Sequence, residues 1–180
     1  MSSLAISHDE INQSLITGLF LEGDKPTVLS GIYQEYYNIV AWRRDLVPEI
    51  QAIVNDLLVS NRGFQVLMNV SLQDAFAQIH QALGGSELAA PLSEDIAELV
   101  EMFCYLFDLD KVGLRLTALD KAMCPRFHVD NVPCRLVTTY QGPATEWLPH
   151  NVVDRLKLGH GSEGEPDEQS GLFPKLDDVQ

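Results

Sequence analysis

The apolar period of the chain changes after Asp110, and this constrains the fold more than any other feature of the sequence. Before it the two longest apolar patterns keep helical spacing. Ile50, Ile53, Val54, Leu57 and Leu58 form one stripe, and Ile96, Leu99, Val100, Phe103 and Leu106 form another. After it Val112, Leu114, Leu116 and Ala118 alternate with Gly113, Arg115, Thr117 and Leu119, the period of a half-buried strand. Helices followed by strands imply an α+β chain in which a helical layer covers a strand-rich half.

Local signals refine this reading. Residues 1–30 carry apolar positions at irregular helical spacing (Leu4, Ile6, Ile11, Leu15, Ile16, Leu19) and read as an N-terminal arm broken at Gly23-Asp24-Lys25-Pro26. Residues 31–180 read as one domain: a helical layer to about 110, a strand-rich half over 111–149, and an acidic loop and tail over 150–180. Asn38–Trp42 and Phe64–Val70 are predicted strands. Asp45 is the expected cap of a helix running to about Val59, with Pro48 in its first turn, where a missing N–H costs little. Ser71 with Asp74 resembles a capping box opening a helix to Leu83, stopped by Gly84-Gly85. Ser93 is the expected cap of a helix over Glu94–Phe107. Residues 159–171 are glycine-rich, acidic and nearly devoid of apolar side chains, and read as a long loop or a disordered segment.

Composition narrows the function classes. A formal net charge of −14 argues against nucleic acid, whose phosphates call for clustered Lys and Arg, and against an anionic membrane surface. No apolar run is long enough to span a bilayer, and the N-terminus has no basic start or long apolar core. A cytoplasmic protein is therefore expected. Three cysteines without a secretion signal do not suggest a disulfide framework, and Cys104, inside an apolar helical run, reads as a small buried hydrophobe. The glycine motifs of nucleotide-binding and α/β-hydrolase folds are absent.

Polar chemistry concentrates between Met123 and Pro149. This stretch holds Cys124, Cys134, Arg126, Arg135, Trp147 and a His-x-Asp pair, and Pro125, Pro133, Pro143 and Pro149 divide it into short pieces. Arg126–Asp130, Cys134–Tyr140 and Thr145–Leu148 are predicted strands, because proline suits strand starts and edges. On such a strand Arg126, His128 and Asp130 share one face, while Phe127 and Val129 share the other. His128 and Asp130 at i and i+2 would supply two of the three ligands of a 2-His-1-carboxylate iron site, half of a metal centre on a β-barrel. The simpler alternative is that the two hydrogen-bond each other at a strand end. Cys124, His128 and Cys134, with Asp130, form a second constellation that would select zinc, although the spacing matches no strong zinc pattern and both thiols suit burial equally well. His150 and His160 are further donors. Thr138 and Tyr140 could bind a carboxylate ligand or orient water, or serve only as good strand formers.

The runs Ile32–Glu35, Asn38–Arg44, Val112–Leu116, Cys124–Asp130, Pro133–Pro143, Trp147–His150 and Lys157–Gly161 resemble a bacterial domain-of-unknown-function family, DUF1826-like. That resemblance implies a role in zinc homeostasis, with a metallochaperone GTPase as partner. The central run is more distantly similar to the His-x-Asp strand of iron- and 2-oxoglutarate-dependent oxygenases. It implies a double-stranded β-helix (cupin or jelly-roll-like) half, incomplete at the C-terminus, because the family pattern continues past Gln180. It also implies a divalent metal, Zn(II) or Fe(II), on His128 and Asp130, with 2-oxoglutarate as co-substrate in the oxygenase reading. A partner-binding protein without a metal of its own is the alternative from another class.

Overall fold

The computed structural model describes residues 18–174. The elements run β1 (Leu19–Gly23), β2 (Tyr37–Trp42), α1 (Pro48–Ser60), β3 (Gln65–Ser71), α2 (Ala75–Ala82), α3 (Ala90–Phe107) and β4 (Lys111–Thr117), with short 3-10 turns between and after them. The chain is α+β. It divides into two compact units. The described residues up to Arg44, Arg126–Asn131 and those from Glu146 onward form the first, and Asp45–Pro125 with Val132–Thr145 form the second.

The second unit holds the apolar core. Strands β3 and β4 pair antiparallel, from Gln65 opposite Thr117 to Ser71 opposite Lys111. The alternation read from the sequence sets the faces: Val112, Leu114 and Leu116 pack inward, while Lys111, Gly113 and Arg115 are exposed. Against this pair lie Ile50 and Val54 of α1, Ala75 and Ile79 of α2, and Leu92, Ile96, Val100 and Cys104 of α3. Cys104 is buried, as its apolar neighbours imply, and desolvation followed by the charge of Asp110 pushes its thiol up from the ordinary value.

Three helix starts show how local signals compete. Val47, not Asp45, is the N-cap of α1, because a residue preceding proline is held extended and cannot enter the helix. Ser71 and Asp74 bond each other, the Asp74 N–H donating to Ser71 Oγ (3.3 Å) and the hydroxyl donating to Asp74 Oδ2 (3.1 Å), but α2 starts at Ala75 with Asp74 as its N-cap, so the pair precedes the helix and is not its capping box. Ser93 is not a cap. Helix α3 starts three residues earlier, at Ala90, and the wholly buried Ser93 hydroxyl donates to the Ala89 carbonyl at 2.7 Å. The carbonyl one turn back is an alternative partner for serine, and here it prevails.

In the first unit β1 and β2 form a parallel pair, joined through a 3-10 segment over Pro26–Tyr33. Arg43 closes it with a two-pronged ion pair to Glu22 (2.7 and 3.0 Å). Of the expected arm, Leu4, Ile6, Ile11, Leu15 and Ile16 lie outside the described residues, while Leu19 opens β1.

The described residues form two two-stranded sheets, not a double-stranded β-helix. Arg126–Asp130, Cys134–Tyr140 and Thr145–Leu148 enter no ladder. Pro125, Pro133, Pro143 and Pro149 flank these pieces and keep them short. The Phe127 N–H donates to the Asp167 carboxylate instead of to a neighbouring strand. Among the described residues after Pro149 there is no helix or strand longer than a 3-10 turn, yet they are closely tied. Asp154 N–H donates to the Leu172 carbonyl (2.8 Å), and Ser162, Asp167, Ser170, Leu172 and Phe173 are buried.

Candidate metal site

The sequence neighbours of His128 are held from forty residues downstream. The Asp167 carboxylate, 8% exposed, accepts from Arg126 Nε at 2.6 Å and from the Phe127 N–H at 2.7 Å. Arg126 Nη2 also donates to the Glu165 carbonyl at 2.5 Å. Phe127 meets Phe173 edge to face, with ring centroids 5.8 Å apart. Ser170 Oγ donates to the Asp167 carbonyl and accepts from the Leu172 N–H, so the turn that presents Asp167 satisfies its own polar groups. Sequence reasoning missed Asp167. It sits in a Pro-Asp-Glu-Gln-Ser run whose composition signals exposure, and its partner is distant in the chain.

His128 and Asp130 are brought together. His128 Nδ1 lies 2.9 Å from the Arg126 carbonyl oxygen. A carbonyl only accepts, so Nδ1 carries a proton. In the neutral imidazole the lone pair is then on Nε2, which lies 3.5 Å from Asp130 Oδ1. Two acceptors facing each other at this distance are reconciled either by a proton on Nε2 or by a cation between them. Zinc–ligand bonds of about 2.0–2.2 Å opened to a tetrahedral angle place two donor atoms about 3.4 Å apart. The pair therefore fits the bite of a metal ion. Half of the His128 side chain is exposed, so the pair is accessible from solvent.

His128 also lines a cavity of about 450 Å³, with Arg126, His160, Ser162 and Glu163 among its walls. The loop bearing His160 is shaped by Gly161, where a Cβ would collide with the Leu156 backbone carbonyl. His150 is exposed and sits against Gly18.

The remaining expected site residues belong to the second unit. Cys124 is exposed and Cys134 half-buried. Burial pushes the Cys134 thiol up, and a backbone N–H of Arg135 draws it partly back. A thiol held protonated is a poor nucleophile and a poor ligand until a metal displaces its proton. The Tyr140 hydroxyl donates to Asp95 Oδ2 at 2.6 Å, tying its segment to α3, and Thr138 is exposed. Among the described residues, no group of three or more His, Cys, Asp or Glu side chains is arranged to hold a metal ion. No helix of the described residues is long and apolar enough to cross a membrane.

A family model described as a protein of unknown function (DUF1826) matches residues 23–176. No curated protein and no solved structure matches the chain. The family match spans most of the chain and carries no activity with it. The chain belongs to the DUF1826 family.

Proposed function

We propose that this protein binds a divalent metal ion through His128 Nε2 and Asp130 and handles zinc rather than catalysing a reaction. The observation that carries the reading is the contact pattern of one ring: Nδ1 lies 2.9 Å from the Arg126 carbonyl oxygen, which leaves Nε2 to carry the lone pair, and Nε2 lies 3.5 Å from Asp130 Oδ1. Two protein donors leave the other coordination positions to water or an incoming ligand. A half-exposed, two-donor site suits transfer of a metal better than permanent storage. The net charge of −14 attracts cations toward such a site. Exchange with a metallochaperone is the partner relation this reading carries. An iron- and 2-oxoglutarate-dependent reaction asks for a third protein ligand, and among the described residues His160, which lines the same cavity as His128, is the candidate that the geometry offers.

Zinc affinity measured by competition with a chromophoric chelator tests the proposal. His128→Ala and Asp130→Ala are each expected to abolish binding, and His160→Ala to leave it nearly unchanged. Equal binding by all four proteins would place the metal elsewhere. A loss in His160→Ala as deep as in His128→Ala would favour the three-ligand alternative.

A further inference from the structure

One peptide group links Asp167 to His128. The N–H of the Arg126–Phe127 peptide donates to Asp167 Oδ2 at 2.7 Å, and the carbonyl of that same peptide accepts from His128 Nδ1 at 2.9 Å. A buried carboxylate, a peptide and an imidazole thus form a continuous hydrogen-bonded chain ending at Nε2. We infer that Asp167 is a positioning residue that acts through this peptide to fix the His128 tautomer and raise the donor strength of Nε2.

The physical argument has two parts. A carboxylate accepting from a peptide N–H polarises the amide, and its carbonyl becomes a stronger acceptor for the imidazole N–H. Metal-binding histidines commonly give their second N–H to a carboxylate or a carbonyl, which orients the ring and raises ligand basicity. Here a carbonyl holds the histidine and a carboxylate stands behind the carbonyl. Asp167 suits this task because it is almost wholly buried and its second oxygen is held by Arg126 Nε, so water does not screen or redirect it. Arg126 fixes the carboxylate from the side but is not a link in the chain from carboxylate to imidazole. The metal-binding part of the inference rests on the function proposed above, whereas the tautomer part stands without it.

The experiment uses the full chain in four forms: unaltered, Asp167→Asn, Arg126→Gln and His128→Ala. Zinc affinity is measured by chelator competition, and the His128 tautomer by nitrogen-15 NMR of the imidazole at mildly alkaline pH without metal. The unaltered protein should hold the Nδ1–H tautomer. Asp167→Asn keeps the shape but loses the charge. It should weaken zinc binding about 10–100-fold, the usual effect of removing an outer-shell partner, and mix the tautomers. Arg126→Gln opens one side of the Asp167 carboxylate to water but leaves its charge and its bond to the Phe127 N–H, so it should weaken zinc binding less than Asp167→Asn and keep the Nδ1–H tautomer dominant. A purely structural latch would not move the tautomer, and would make Arg126→Gln and Asp167→Asn equivalent. That equivalence would overturn the inference, as would an Nε2–H tautomer in the unaltered protein even if Asp167→Asn fails to fold. Absence of zinc binding in the unaltered protein would overturn the proposed function and the metal part of the inference, leaving the tautomer result to judge the relay.

Discussion

Ile79→Ala tests whether the second unit is held by the core described for it. Ile79 is 1% exposed and sits on α2 in the buried cluster with Val70 and the α3 residues Leu92, Ile96 and Val100. The substitution deletes three carbon groups. At about 0.8 kcal/mol for each buried methylene, the transfer cost is about 2.4 kcal/mol. A cavity that fails to collapse raises it toward the upper end of the about 2–5 kcal/mol found for such truncations. The sheet is only two strands deep and α2 is only eight residues long, so partial collapse is expected and a loss of about 2.5–4 kcal/mol follows. Against a total stability of about 5–15 kcal/mol for a typical domain, this is a large fraction. The assay is urea unfolding followed by two probes. All α-helices of the described residues are in the second unit, so far-ultraviolet circular dichroism reports on it. Trp42 and Trp147 are in the first, so indole fluorescence reports there. The helical transition should shift to lower urea with its slope unchanged. A shift worth less than about 1 kcal/mol would refute the packing argument, because no buried isoleucine in a tight core is that cheap to truncate.

Two further outcomes follow from the same structure. The folded-state pKa of Cys104 is raised by burial, so its contribution to stability is fully present below about pH 8.5 and is lost as pH rises through the folded-state value. The helical transition of the unaltered protein should therefore weaken above that pH more steeply than that of Cys104→Ala, and parallel pH profiles would contradict the burial. Gly161→Ala drives a Cβ into the Leu156 carbonyl, so the 3-10 turns after Asp154 must shift, at a cost of about 1–3 kcal/mol or more. Hydrogen exchange at the Asp154 amide, bonded to the Leu172 carbonyl, should quicken by about tenfold or more, and unchanged protection would contradict the geometry.

Where the sequence could be read, one face of an element is buried and the other is not. The alternation over residues 111–117 and the stripe from Ile50 to Leu58 follow from that, and both elements form. Where reading failed, the deciding partner is remote or polar. Nothing around Ser93 signals that its hydroxyl would turn back to Ala89. The run Arg126–Asp130 has the look of a strand, but the Phe127 N–H is taken by a carboxylate forty residues away. The 159–171 stretch lacks the apolar residues that mark burial, and its buried members are instead polar: Ser162 and Ser170 bond nearby backbone, and Asp167 is met by Arg126 and the Phe127 N–H. The His128–Asp130 pair was visible as an i, i+2 spacing. Its closeness does not come from a strand pleat, and the residue that orients it, Asp167, lay in the segment with the least pattern.

The central claim is that His128 and Asp130 hold a metal ion. Elemental analysis tests it most directly, on the full chain purified without chelators or a histidine tag and then dialysed to equilibrium against Zn(II), or anaerobically against Fe(II), with the free metal in the dialysate subtracted. The account predicts near-stoichiometric zinc retained by the unaltered chain and lost in His128→Ala. Retention of neither metal by the unaltered chain, or equal retention by both proteins, would contradict it.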